Sequence, residues 1–248
     1  MPRFHISSIA WNPDRLVLDA SESHHAFDVL RMKAGDRATV FNGEGAEAEV
    51  EFLKPGKHGV ELRRVSLQKS LPLPCRITLG QAVPKGKNMD LIIEKAAELG
   101  AGEIAPLLSE RTVVRGSEGD HVRKQQKWQR VAVEACKQCG QNFLPRVPEP
   151  CTPKAFFDRG QRFDLMLIAS LQNDSRPLKR ILAEFGAKRP KSVLILVGPE
   201  GDFTPAELSL AKSHGCRPVT LGPIILRTET ASIYCLSVLN HELQQSEA

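Results

Sequence analysis

The sequence has no apolar run that approaches the length of a membrane span, and Met1 to Trp11 lacks the apolar centre of a signal peptide. It also has no internal repeat and no low-complexity segment, which argues against a solenoid or a biased, unfolded chain. The 248 residues are 41% hydrophobic and 25% charged, as in a globular protein of one large or two small domains. We therefore expect a cytoplasmic protein with no membrane partner.

The six cysteines show no spacing that suits a metal site. Cys136 and Cys139 are two residues apart, but a zinc site would need a second pair of ligands at similar spacing. A redox pair would sit at a helix start, whereas this one lies late in a helical pattern. His24 and His25 are neighbours and would face different directions on a helix. We expect no metal, and we expect the cysteines to be small buried apolar side chains.

One stretch near the carboxyl terminus has the pattern of a ligand-binding loop. Val193 to Val197 is an unbroken apolar run, typical of a strand buried on both faces of a parallel sheet. It ends at the glycine-containing loop 198–201. Thr204 with Pro205 and Glu207 then predicts a capped helix start. A strand, a glycine loop and a helix start in succession are typical of nucleotide-like ligand sites at the carboxyl edge of a sheet.

A second unit of the same kind follows directly. Residues 219–221 and 224–226 are short apolar, strand-like runs around Gly222-Pro223, and residues 227–230 open a last helix. Because both loops fall within about one βαβ length, we expect them to meet and form the active site.

The rest of the chain divides into two regions. Residues 1–72 contain short, closely spaced strand candidates with a turn at Asn42-Gly43, which predicts a small barrel. A proline-containing linker follows at 68–75. From Arg76 strands alternate with helices, which predicts an α/β domain with a parallel sheet over residues 73–248. The strand candidates of this domain are 77–83, 104–108, 165–169 and 193–197, and its main helices are 89–99 and 125–139.

The net charge of +5 is concentrated in one region. Residues 111–146 carry eight basic and three acidic side chains, whereas residues 1–72 carry ten of each. A local basic face is typical of a protein with a polyanionic partner. A solvated helix surface explains the same pattern, and the charges alone do not decide between the two.

The two carboxyl-terminal loops resemble a known family. Gly198-Pro-Glu-Gly201 with Phe203, and the run from Leu221 to Ala231, are similar to the paired signature of the bacterial 16S ribosomal RNA (uridine-N3) methyltransferases of the SPOUT superfamily. His24-His25 and Gly35-Asp36 are similar to the amino-terminal PUA-like domain of that family. The resemblance implies a carboxyl-terminal α/β-knot domain with a deep trefoil knot and a small amino-terminal PUA-like β-barrel.

The resemblance also implies an activity. Members of the family transfer a methyl group from S-adenosyl-L-methionine to N3 of a uridine in 16S rRNA of the small (30S) ribosomal subunit, and they form homodimers through the carboxyl-terminal domain. Two alternatives stay open. One is a SPOUT enzyme with another RNA target, such as a ribose 2′-hydroxyl of transfer RNA. The other is a non-catalytic RNA-binding factor in ribosome assembly.

The resemblance and the residue chemistry together give candidate site residues. Glu229 could accept the N3 proton and Arg227 could stabilise the uridine anion, or the two could form an ion pair that fixes the loop. Thr228 and Thr230 are also explained as helix caps. The candidates for cofactor binding are Leu196, Gly198, Pro199, Glu200, Gly201, Leu221, Gly222, Ile225, Leu226, Thr228, Thr230 and Ala231. The candidates for RNA binding are Arg31, Lys87, Arg111, Arg115, Arg123, Lys124, Lys127 and Arg130.

Two positions depart from the family pattern. Asp202 stands where the family usually has a second glycine, which questions a close backbone approach to the ligand there. Gln141 stands where the family often has arginine, so one contact to RNA is missing or supplied elsewhere.

Overall fold

The computed structural model describes residues 1–56, 59–86, 88–112, 118–186 and 188–244. The chain forms two compact units. The first consists of residues 1–72 together with 133–144, and the second of residues 73–132 and 145–248. The first unit therefore includes a segment that the sequence pattern placed in the second domain. None of the described helices is long and apolar enough to cross a membrane.

The first unit is built on a five-stranded sheet. The strands are β1 (Arg3–His5), β2 (Leu16–Leu18), β3 (Arg37–Phe41), β4 (Ala46–Gly56) and β5 (Gly59–Lys69). Their order in the sheet is β1-β3-β4-β5-β2, in which β1 and β3 are parallel and the other neighbours are antiparallel. A short helix α1 (Ala20–His24) continues into a π-helical turn at His25–Val29.

This sheet curls around a core to which all five strands contribute. Phe4 of β1 packs edge-on against Phe52 of β4, with 5.6 Å between ring centroids. Leu16 and Leu18 of the opposite edge strand are buried in the same cluster. Because residues from both edge strands share one core, the sheet must bend, as in the predicted small PUA-like β-barrel. Strands β4 and β5, of 11 residues each, are longer than the short strands that we expected.

Residues 133–144 are tied to the first unit by polar and steric contacts. Lys137 pairs with Glu22, and both side chains are largely buried. The Arg3 guanidinium donates to Oδ1 of Asn142 over 2.6 Å. A Cβ at Gly45 would lie 2.6 Å from the Phe143 ring, so the ring fits only against a glycine. The segment is therefore an integral part of this unit's core.

The second unit is a parallel sheet with helices. The strands are β6 (Arg76–Ala82), β7 (Ala101–Leu107), β8 (Leu165–Ala169), β9 (Arg176–Pro177), β10 (Ser192–Val197) and β11 (Arg217–Thr220). Their order in the sheet is β7-β6-β10-β8-β11-β9, and every neighbouring pair is parallel. The helices are α2 (Asn88–Glu98), α3 (Glu118–Cys139), α4 (Pro153–Phe157), α5 (Leu178–Ala183), α6 (Pro205–Ser213) and α7 (Thr228–Leu243). The last residues of α3, from 133 onward, belong to the first unit.

The predicted α/β fold with a parallel sheet is thus confirmed, with differences at element ends. Gly100 ends the α2 segment with φ +75°, as a helix-terminating glycine does. Helix α3 begins seven residues before the predicted start at residue 125. Its buried side includes Cys136, whereas Cys139, expected to be buried, is exposed, because the helix presents that position to solvent. The knot stays a prediction from the resemblance.

The buried cysteines behave as apolar side chains. Burial raises the pKa of Cys75, Cys136, Cys216 and Cys235 to about 12, so these thiols stay protonated near neutral pH. The described residues contain no group of three His, Cys, Asp or Glu side chains that could hold a metal ion.

Candidate active site

Three loops meet at one edge of the parallel sheet. Strand β8 lies between β10 and β11, and all three run in the same direction, so their carboxyl ends share an edge. We call the segments that follow them the β8 loop (170–175), the β10 loop (198–204) and the β11 loop (221–227). The sequence predicted the meeting of the last two; the β8 loop was missed because strand order depends on long-range pairing.

The three loops enclose a cavity of about 300 Å³. This volume is at the lower end of the range of small-molecule sites, about 300–1,000 Å³. The β8 loop contributes Ser170 and Leu171, and the first turn of α7 closes one side with Thr228 and Ala231. The remaining lining residues are Ala169, Val197, Gly198, Pro199, Glu200, Gly201, Asp202, Thr220, Leu221, Gly222, Ile224, Ile225, Leu226 and Arg227.

The β10 loop is fixed by hydrogen bonds along its length. The backbone N–H of Lys85 donates to the Glu200 carboxylate over 3.3 Å, and the Arg111 guanidinium donates to the carbonyl oxygen of Gly201. The loop leads into α6 through the predicted capping box, in which Thr204 and Glu207 each accept from the other's backbone N–H. The wall that this loop forms is therefore preorganised.

A buried polar network joins the β10 loop to the start of α7. The Thr228 hydroxyl donates to the carbonyl oxygen of Gly198 over 2.7 Å and accepts from Nε2 of Gln81 over 3.1 Å. The Ser232 hydroxyl bonds to Oε1 of Gln81. Gln81 and Ser232 are fully buried. The sequence signal for this network is weak, because it is only one polar residue near the end of the apolar strand β6, and our prediction missed it.

The β11 loop makes fewer bonds. Its internal hydrogen bonds join the Thr220 hydroxyl to the backbone of Gly222 over 3.3 and 3.4 Å. Ile224 and Ile225 are 74% and 75% exposed. The expected strand-like run at 224–226 is therefore wrong. Pro223 lacks a donor, and the described residues offer this run no partner strand.

The two predicted catalytic residues have different environments in the structure. Arg227 is exposed and lines the cavity, whereas Glu229 is half-buried in the first turn of α7 and does not line it. The alternative interpretation, an ion pair between them, finds no such pair among the salt bridges of the described residues. The helix cap is Arg227, without a side-chain bond, so Thr228 and Thr230 do not cap α7.

Most of the predicted cofactor-binding residues line the cavity, with two exceptions. Thr230 is exposed and is not part of the cavity lining. The Leu196 side chain is buried in the hydrophobic core one residue before the end of β10, so it packs under the site and does not line it.

The predicted RNA-binding residues have different environments. Lys87 and Arg115 lie outside the described residues. Arg111 holds the β10 loop, which gives it a structural contact. Arg123 and Lys127 form ion pairs with Asp120 and Asp90, respectively.

Three cations of that set have no ion-pair partner among the described residues. Arg31, in the first unit, is exposed and has a left-handed backbone with φ 56°. Lys124 and Arg130 lie on α3, where Arg130 is exposed and Lys124 half-exposed.

Fold and site together define an α/β protein with a loop-walled ligand cavity at the carboxyl edge of its sheet. A family model described as an RNA methyltransferase domain matches residues 71–240, and one described as an RNA methyltransferase PUA domain matches residues 18–63. The chain belongs to the RNA methyltransferase family, and the resemblance drawn from its loops is confirmed.

Relatives match the chain over most of its length. It is 30% identical over 230 residues to the Ribosomal RNA small subunit methyltransferase E of Bacillus subtilis, covering 92% of this chain and 90% of the relative. It is 35% identical over 232 residues to the protein of that name from Synechocystis, covering 92% and 74%.

Solved structures share the whole architecture. A putative methyltransferase from Legionella pneumophila in complex with the bound cofactor SAM is 33% identical, with a TM-score of 0.86 and 96% of both chains covered. A Ribosomal RNA small subunit methyltransferase E from Neisseria gonorrhoeae bound to S-adenosyl methionine is 29% identical, with a TM-score of 0.85 and 97% of both chains covered.

Proposed function

We propose that this chain is an S-adenosylmethionine-dependent methyltransferase that modifies N3 of a uridine in 16S rRNA of the small ribosomal subunit. The observation that carries the proposal is the cavity formed by the loops that bear the two signature motifs. The names of the relatives support small-subunit ribosomal RNA as the substrate.

The residues present fit the cofactor. Gly222 has φ +121° and open space where a Cβ would stand, so its backbone can approach a ligand closely. Gly198 has Phe203 N and the Asp202 carboxylate within 3.1–3.2 Å of that position, which leaves little room for a side chain. Backbone groups of the β10 and β11 loops would hold the adenosine, and the apolar side chains Leu221 and Leu226 would cover it. When bound, the cofactor supplies an electrophilic methyl group.

Arg227 and Glu229 have the residue types that the reaction needs. Uridine N3 is a poor nucleophile while protonated, so a nearby base or a cation that stabilises the anion should accelerate transfer. Arg227 lines the cavity and would stabilise the negative charge on the uracil carbonyl oxygens. Glu229 is the candidate base; because it does not line the cavity, this role requires the substrate to approach from outside it.

RNA binding would use exposed cations. Lys124 and Arg130 on α3, and Arg31 in the first unit, would contact phosphates, since each is accessible and lacks a described ion-pair partner. Changing Arg130 to Ala should weaken RNA binding and lower its salt dependence, while cofactor affinity should not change.

The enzyme would act as a homodimer in the cytoplasm, where ribosomal subunits are assembled. Tyr234 of α7 is 44% exposed and Ile233 beside it is half-buried, which leaves apolar surface on the last helix for a second copy. Sedimentation of the purified protein should give twice the monomer mass; a monomer at working concentration would contradict the dimer.

The decisive experiment uses small subunits and 16S rRNA from a strain that lacks the protein. With labelled S-adenosylmethionine, the wild-type protein should transfer label to one uridine and block primer extension there, because N3 methylation prevents base pairing. Label on transfer RNA or on a ribose hydroxyl would overturn the target, and failure to bind the cofactor would favour a non-catalytic factor. Glu229→Gln should lower turnover at unchanged cofactor affinity; unchanged turnover would remove Glu229 as the base.

A further inference from the structure

Asp202 has an unusual backbone for its residue type. Its φ is +68°, and among the described residues only Arg31 is another non-glycine with a positive φ. This left-handed conformation is disfavoured for residues with a Cβ, and aspartate is among those that tolerate it. The family glycine at this position would adopt it without strain. We therefore expect contacts of Asp202 to offset the conformational strain of its left-handed backbone.

The Asp202 carboxylate joins two of the three cavity walls. Its Oδ1 accepts from the backbone N–H of Phe203 over 2.7 Å, and its Oδ2 accepts from the backbone N–H of Leu171 over 3.2 Å. Leu171 belongs to the β8 loop, so the second bond crosses from one loop to another. Both Leu171 and Asp202 line the cavity.

The backbone of Asp202 is held from the other side. The Arg111 guanidinium donates to the carbonyl oxygens of Gly201 and Asp202, the latter over 3.4 Å. Arg111 follows strand β7, so the loops after β7, β8 and β10 all converge on this one residue. The Leu171 side chain is 62% exposed, so packing contributes little to fixing the β8 loop there.

We propose that Asp202 is a positioning residue that clasps the β8 loop to the β10 loop and so presets the cofactor cavity. This inference rests on the proposed function, because it concerns affinity for the cofactor. A glycine at this position would let the backbone of the β10 loop approach the cofactor closely. Asp202 instead provides a fixed hydrogen bond between the β10 loop and the β8 loop. Asp202 itself takes no part in the chemistry.

The clasp predicts opposite effects on stability and on binding. Asp202→Gly removes the left-handed strain and the carboxylate together, so the melting temperature of the ligand-free protein should not fall. The Leu171 amide, without its acceptor, should exchange with solvent at least about tenfold faster. Cofactor affinity should fall about tenfold, equal to about 1.4 kcal/mol, because binding must then order the β8 loop. If Asp202 had a merely structural role, Asp202→Gly would lower the melting temperature and leave the Leu171 amide protected from exchange.

Asp202→Asn separates charge from geometry. Asparagine also tolerates the left-handed backbone, but it keeps one of the two oxygen acceptors and places an NH2 donor against the other N–H, so it should restore the Leu171 protection and the affinity only in part. Asn173→Ala, at an exposed position of the same β8 loop, is the matched control and should change neither.

The measurements are amide exchange on the ligand-free protein and calorimetry with S-adenosylmethionine. Unchanged Leu171 exchange or unchanged affinity in Asp202→Gly would overturn the clasp. If the wild-type protein does not bind the cofactor, the proposed function fails, while the exchange experiment still tests the cross-loop bond independently.

Discussion

The β10 and β11 loops line the same cavity but are held in different ways. Gly198 and Pro199 of the β10 loop are buried, and the loop is bonded to residues of α6, α7 and the loops after β6, β7 and β8. The β11 loop has local bonds to Thr220, and its Ile224 and Ile225 are mostly exposed. The β10 loop is therefore held in place by protein contacts without a ligand, whereas the β11 loop has few such contacts and leaves its side of the cavity exposed.

This difference indicates that the two loops contribute to binding in different ways. A bonded wall supplies fixed backbone groups at low cost in ordering entropy, which is what selective recognition of a ligand requires. The exposed apolar side chains of the β11 loop become buried only when a ligand or a partner covers them, so their hydrophobic contribution arises on binding. Mutations in the two loops should therefore separate stability from binding, and four experiments test this, from the largest expected change in stability to the smallest.

Thr228→Val should have the largest effect. It removes the hydroxyl that bonds the Gly198 carbonyl and Gln81, and it leaves both buried groups without that partner. We expect a loss of about 2–4 kcal/mol in the free energy of unfolding, measured by denaturant titration, together with weaker cofactor binding. Thr228→Ser keeps the hydroxyl and should lose much less. Equal losses in the two variants would show that packing, and not the network, holds this wall.

Glu207→Ala should have the next largest effect. The buried carboxylate accepts from the backbone N–H of Thr204 and from that of Glu110, over 3.0 and 2.9 Å. Its removal breaks the capping box behind the β10 loop, and we expect a loss of about 1–2 kcal/mol in a thermal unfolding experiment. Glu207→Gln retains an acceptor for the box and should recover part of this loss; no difference between Ala and Gln would contradict the assignment.

Arg111→Ala tests whether this arginine serves the loop or the RNA. If it holds the Gly201 carbonyl, stability should fall by about 0.5–1 kcal/mol and cofactor affinity should fall as well, with RNA affinity little changed. Calorimetry with the cofactor and filter binding with RNA distinguish the outcomes. A loss confined to RNA binding would restore Arg111 to the set of phosphate contacts predicted from the sequence.

Ile224→Ser and Ile225→Ser should change stability least. Both side chains are already in solvent, so the free energy of unfolding should stay within about 0.5 kcal/mol of the wild type. Cofactor affinity or dimer formation should nevertheless fall several-fold, since either would bury these side chains. Ile9→Ser, at a 99% exposed position of the first unit, is the control. A large loss of stability would mean that the β11 wall is as fixed as its neighbour.

The sequence predicted the local features of the site well. The apolar run of β10, the capping box of α6 and the glycine that ends α2 each depend on residues close in the chain, and all three are present in the structure. Most of the cavity lining also falls within the two predicted loops. Local sequence is sufficient where the deciding contacts are local.

The features that the sequence did not predict depend on distant contacts. The β8 loop enters the cavity because β8 pairs between β10 and β11, which periodicity does not encode. Thr228 looked like a cap, but its hydroxyl bonds to Gly198, thirty residues away in sequence. The apolar run at 224–226 looked like a strand, and only the absence of a partner among the described strands reveals otherwise.

Because residues 133–144 belong to the first unit, two separate stretches of the chain encode the barrel. Lys137 neutralises Glu22, and Phe143 fills the space above Gly45, so a gene fragment that stops after residue 72 encodes a barrel with a buried, uncompensated carboxylate and an open hydrophobic gap. The stretch of gene that encodes residues 1–72 and the folded barrel unit therefore do not coincide.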